Sequence, residues 1–257
     1  MFFVQLIAGL IIAYCIYKIC EIFIIEYKVW EIVSTYRQQY KEVEKVTWKN
    51  KVKQPKIKNK QSDYIAVIDS KDNFEGYPIS IGIVIINSNT YDIQHAQYYL
   101  LPESLVVDGM FNSLVETHHV YQTYFGTLTY VENHIRTLLK RFNITSIYAY
   151  NARFVFNVLP GLQRYDWYDI MPVANNKYDN KLLPESEEYR GDGTLKYLCG
   201  VHSILSKITN MSVRCSYHAM YDALDVVKLI KCMSVPVDIL NKYPIFIDKH
   251  RIKQKRA

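Results

Sequence analysis

Three residues of this 257-residue chain have types and spacings suited to acid–base or metal chemistry: Asp69, His218 and Asp222. His218 and Asp222 stand four apart in YHAMYDALDVVKLI (217–230), so a helix there places an imidazole and a carboxylate on one face. Such a pair suits a general base beside a metal ligand, or a plain surface ion pair. Ala219 and Ala223 thin the same helix and allow it to approach a sheet closely. Asp69 closes the apolar run YIAVID (64–69), which is followed by a polar loop and a second apolar run over Ile79–Ile86. A carboxylate ending a buried strand either opens a turn or sits at the mouth of a sheet, where side chains meet a ligand.

Positioning these residues requires a sheet with helices against it, and the pattern supplies both. Strands are expected over Tyr64–Asp69, Ile79–Ile86 and Ala96–Leu101, joined by short loops as in an antiparallel meander. Residues 104–125 read as irregular structure or short helices. TLTYVENHIRTLLKRF (127–142) has helical apolar spacing and ends in Lys140 and Arg141, which suit a helix C-terminus. A fourth strand over Ile144–Tyr150, a helix opening at Asn151 and a short strand near Ile170 follow. A loop then holds 175–192, and helices are expected over Thr194–Ile208 and His218–Met233. The order fits a mixed sheet flanked by helices.

Charge separates this domain from its flanks. The net charge is +6, yet residues 62–247 carry 15 Lys/Arg against 19 Asp/Glu, so the excess of positive charge lies at the two ends. The basic pI is therefore no argument that the folded part binds nucleic acid. The five cysteines show no C-x-x-C spacing and form an odd set, which points to free thiols in a reducing compartment rather than a disulfide framework or zinc site.

Met1–Tyr17 is apolar apart from Gln5, and the apolar character continues past Lys18 to Ile25. That length suits one membrane-spanning helix, and the basic flank after it places the following domain in the cytoplasm. Residues 26–62 read as a juxtamembrane helix and a linker whose Lys45–Lys60 stretch holds seven lysines and no acid. It is a solvated tether that can touch anionic lipid headgroups. The expected division is a transmembrane anchor over 1–25, the helix and basic linker over 26–62, the folded domain over 63–235 and a basic tail over 236–257.

Taken together, the three motifs resemble the DEDDh branch of the DnaQ-like 3′-5′ exonucleases, which have a ribonuclease H-like fold. Asp69-Ser70-Lys71 before Ile81-Gly82-Ile83-Val84 is similar to the family's first motif and the strand after it. Asn151-Ala152-Arg153-Phe154-Val155 resembles the second motif, and His218, Asp222 and Ala223 fit the third. Trp167–Met171 and Leu195–Leu198 resemble the short strand and the helix between the last two. The resemblance spans about 63–233 and implies three antiparallel strands followed by parallel ones. It also implies two Mg²⁺ or Mn²⁺ ions gripping a phosphate, with Asp69 and Asp222 as ligands and His218 as general base.

Two expected carboxylates are replaced. Lys71 stands where the first motif has Glu, and Val155 where the second has Asp. Asp72, Glu75, Asp166 and Asp169 are nearby carboxylates, though strand alternation turns Asp72 away from Asp69. A lysine at a metal position repels cations, so Lys71 is expected to pair with Asp69 and Asp222 in place of metal. The leading expectation is a membrane-anchored exonuclease-fold domain, impaired in catalysis and without metal, that retains contact with nucleotides or single-stranded 3′ ends. The alternatives are an active exonuclease with a rearranged Mg²⁺ or Mn²⁺ site and a membrane-tethered scaffold for a protein partner.

Overall fold

The computed structural model describes residues 62–73, 75–102, 123–213 and 217–246. The expected transmembrane anchor, the juxtamembrane helix and basic linker, Cys15, Cys20, Cys215 and the tail beyond Phe246 lie outside the described residues. Among the described residues, no helix is long and apolar enough to cross a membrane.

The chain forms a mixed sheet from strands β1 (Tyr64–Asp72), β2 (Pro78–Asn87), β3 (Ile93–Leu100), β4 (Thr123–Phe125), β5 (Ser146–Ala149), β6 (Asp166–Asp169) and β7 (Pro244–Ile245). Their spatial order is β4-β3-β2-β1-β5-β6-β7. The pairs β1–β2 and β2–β3 are antiparallel, whereas β1–β5 and β5–β6 are parallel. Three antiparallel strands followed by parallel ones is the arrangement the sequence led us to expect.

Helices cover both faces: α1 (Leu128–Arg141), α2 (Ala152–Val158), α3 (Ile170–Ala174), α4 (Val201–Thr209), α5 (Ala219–Met233) and α6 (Val237–Leu240). Alternation along β1 sorts the core into two layers. Ile65 and Val67 pack with Met220, Ala223, Val226 and Ile230 of α5, and with Ile204 and Leu205 of α4. Ala66 and Ile68 pack on the other face with Val131, Ile135 and Leu139 of α1 and Val155 of α2. A strand buried on both faces reads as a continuous apolar run, which is how β1 and β2 announce themselves in the sequence.

Three local expectations change, and the short strand expected near Ile170 is met by β6. The stretch Thr194–Gly200 is not helical; Asn176 and Thr194, and Tyr189 and Leu195, form isolated bridges, and α4 starts only at Val201. The Asn175 side chain holds this segment in place, its Oδ1 accepting from the Cys199 amide at 2.7 Å. The short strand near Ile170 ends at Asp169, where the Asp169 carboxylate caps α3. The short edge strand β4, parallel to β3, lies in the stretch read as irregular or helical. Finally, ordered structure runs past 235: Leu240 is fully buried and β7 pairs with β6, so part of the expected tail belongs to the domain.

Candidate functional site

Gly82 is the reason that α5 can start where it does. It pairs with Asp69 on one side and Tyr98 on the other, in the middle of the antiparallel strands. A Cβ at Gly82 would lie 2.5 Å from Ala219 O and Met220 Cα, so only glycine lets the helix N-terminus rest on the sheet. Ala219 and Ala223, both fully buried, thin the contacting face as expected. This contact brings Asp222, in the first turn of α5, over the end of β1.

There the two carboxylates meet a lysine. Asp69 and Lys71 are two apart on β1 and so project to the same face. Lys71 Nζ lies 2.9 Å from Asp69 Oδ2 and also contacts Asp222 Oδ2. The Lys71 side chain is 25% exposed and that of Asp222 only 6%, so the group is shielded and open on the lysine side. Burial works against the ammonium, but the Asp69 and Asp222 carboxylates outweigh it and hold the Lys71 pKa above its usual value. Burial pushes the Asp69 carboxyl up to about 6, and the Lys71 charge and hydrogen bond offset only part of this. The residues here do not fit a pair of hard dications, which need several carboxylate oxygens and no cation at the same place.

His218 is brought to the same helix end, immediately before its first turn. It is 2% exposed. Its Nδ1 accepts the Met220 amide at 3.2 Å, capping α5, and its ring stacks on Tyr98 with centroids 4.2 Å apart. Nε2 is buried with no hydrogen-bond partner. Burial depresses its pKa to about 4; Asp222 opposes this shift and Lys71 adds to it. The imidazole is therefore neutral near pH 7, a weak base placed as a cap and packing ring.

The second motif divides between two surroundings. Val155 is 1% exposed and belongs to the apolar layer with α1, while Phe154 is 46% exposed. Asn151 adopts a left-handed conformation (φ 58°) before α2, and its amide donates to Asp169 Oδ1 at 3.0 Å. Asp169 also accepts from Met171 N at 2.9 Å and is thus engaged as a helix cap. Asp72 follows a register irregularity after Lys71. Burial pushes it up to about 6, with the Ser70 hydroxyl and the Lys71 charge pulling the other way. Glu75 and Asp166 are exposed. Glu75, Asp166 and Asp169 are thus engaged elsewhere or exposed, while Asp72 lies near enough for its charge to act on Asp69.

A different pair of residues does approach Asp222. His202 Nε2, on α4, lies 3.3 Å from Asp222 Oδ1 and 3.1 Å from Asp225 Oδ2. Burial raises the Asp225 pKa, and His202 opposes the shift. Asp222 and Asp225 are three apart and share a helix face, a spacing visible in the sequence; His202 comes from a separate helix and carries no local signal.

No protein-family model matches the chain, and no curated protein matches it either. Solved structures do resemble it. E. coli Exonuclease I in complex with an oligonucleotide is 14% identical, with a TM-score of 0.43, over 67% of this chain and 40% of that one. The chain thus spans well under half of that enzyme's length. A 3′-exonuclease solved for recognition of the histone mRNA stem-loop is 15% identical, covering 79% of this chain and 73% of that one, with a TM-score of 0.45. The nuclease domain of 3′hExo, a DEDDh family member bound to rAMP, is 17% identical over 72% of this chain and 97% of that one, at a TM-score of 0.43.

Proposed function

We propose that this chain is a membrane-tethered domain of exonuclease-like, ribonuclease H-like fold in which an internal cation replaces the metal pair, leaving a single-strand-binding surface without nuclease turnover. The observation that carries this reading is the Lys71 ammonium on Asp69, with Asp222 as its second carboxylate partner. A two-metal mechanism needs dications to hold the scissile phosphate and activate water. An ammonium neutralises the carboxylates but cannot lower the pKa of water in that way. His218 supports the same reading, because it is buried and stacked on Tyr98.

What remains is a fold with an exposed aromatic, Phe154, next to Arg153 at the start of α2. Phe154 offers a stacking face for a base and Arg153 a charge for a phosphate. The N-terminal apolar segment would hold the domain against a membrane, with the basic linker touching anionic lipid.

Binding of a short fluorescent single strand to the full chain, measured against salt and in the presence of EDTA, tests this reading. The expected result is binding that weakens steadily as salt rises and is unchanged by EDTA. Absence of binding at low salt would favour a protein-docking scaffold instead.

A further inference from the structure

We propose that His202, Asp222 and Asp225 form a site for a single transition-metal dication of the zinc class, beside the Lys71 cluster and sharing Asp222 with it. One donor atom from each of these residues lies within 4.8 Å of the other two.

Geometry carries the argument. A dication bound tetrahedrally by imidazole nitrogen and carboxylate oxygen at about 2.0–2.2 Å separates neighbouring donors by roughly 3.3–3.6 Å. His202 Nε2 stands 3.3 Å from Asp222 Oδ1 and 3.1 Å from Asp225 Oδ2, a slight closure from that shell. Nε2 is buried and lies within ion-pair range of both carboxylates.

The supports are rigid. Asp222 and Asp225 stand on consecutive turns of α5, and His202 stands in the first turn of α4, which packs beside it. Asp222 serves both neighbours, with Oδ2 toward Lys71 and Oδ1 toward His202. The Lys71 charge on Oδ2 of the same carboxylate opposes a second cation, so binding should tighten when that charge is removed. One nitrogen with two carboxylates favours zinc, cobalt or manganese over magnesium, which prefers an all-oxygen shell. Three protein ligands also leave a fourth position for water.

The test uses the full chain with Zn²⁺ alone and Co²⁺ alone. Calorimetry is expected to show one equivalent of Zn²⁺, lost in His202→Ala and in Asp225→Asn and retained in Lys71→Met. Co²⁺ is expected to give visible ligand-field bands without the charge-transfer absorption of a thiolate, which excludes ligation by any of the five cysteines. Zn²⁺ should raise the thermal midpoint of the wild type and leave that of Asp225→Asn unchanged, which separates lost binding from lost folding. No stoichiometric binding, or binding undiminished in both variants, overturns the site. Turnover of a 3′ end would overturn the proposed function and leave this result as it stands.

Discussion

Lys71 Nζ stands 2.9 Å from Asp69 Oδ2 and joins that strand carboxylate to Asp222 on the facing helix. One ammonium therefore connects β1 and α5 at the point where Gly82 lets the helix touch the sheet. Removing it alone leaves two shielded carboxylates facing each other. Lys71→Met is expected to destabilise the domain by about 2–3 kcal/mol, below the roughly 3–5 kcal/mol of a fully buried pair because the lysine is partly solvated. Asp69→Asn added to Lys71→Met should recover part of that loss. Urea unfolding of the two single variants and the double variant measures the coupling.

His218 gives the stability a pH dependence. Its folded pKa of about 4 lies below the usual 6.5, so the neutral imidazole contributes stability that is fully present above pH 6.5 and is lost as pH falls toward 4. Asp69 and Asp72 have the opposite sign. Both are raised to about 6, and what they add below their usual value disappears as pH rises through 6. The difference between wild type and His218→Asn isolates the histidine. We expect the wild type to lose on the order of 2 kcal/mol more than His218→Asn between pH 7 and 4. An equal loss of stability by wild type and His218→Asn between the two pH values, measured by urea unfolding, would show that burial does not hold this ring neutral.

Gly82→Ala should act at a distance from its own strand. The new Cβ meets the backbone of Ala219 and Met220, which cannot rotate away, so α5 must lift. We expect a loss of about 1–3 kcal/mol. The same shift would separate Asp222 from Lys71, visible as a fall in the Lys71–Asp222 coupling in a double-mutant cycle.

Asp169→Ala discriminates a cap from a ligand. Asp169 receives the Asn151 and Met171 amides, so its loss is expected to lower stability by about 1–2 kcal/mol. Zinc stoichiometry should be unaffected, because Asp169 is not one of the donors at His202, Asp222 and Asp225.

The sequence made the sheet legible because β1 and β2 are buried on both faces and advertise this with unbroken apolar runs. The resemblance to the exonuclease motifs related Asp69, Lys71 and Asp222 to one another, and strand alternation puts the first two on one face. The sequence did not reveal His202, whose approach to Asp222 depends on where α4 packs and not on any local spacing. The missing helical start at Thr194 has a similar origin: the Asn175 side chain and two bridges override an acceptable helical pattern. Strands β4 and β7, three and two residues long, are too short to leave a periodic trace. His218 and Asp222 show the limit of spacing most clearly. They are four apart as a catalytic pair would be, yet His218 lies outside the helix, turned under Tyr98.

The most direct test of the central claim is turnover of a 3′-labelled single strand by the full chain across a magnesium and manganese titration. The substrate is expected to stay intact at every metal concentration, with wild type indistinguishable from Asp69→Ala. Metal-dependent shortening from the 3′ end that disappears in Asp69→Ala would contradict that claim, because Lys71 would then not have displaced the metals.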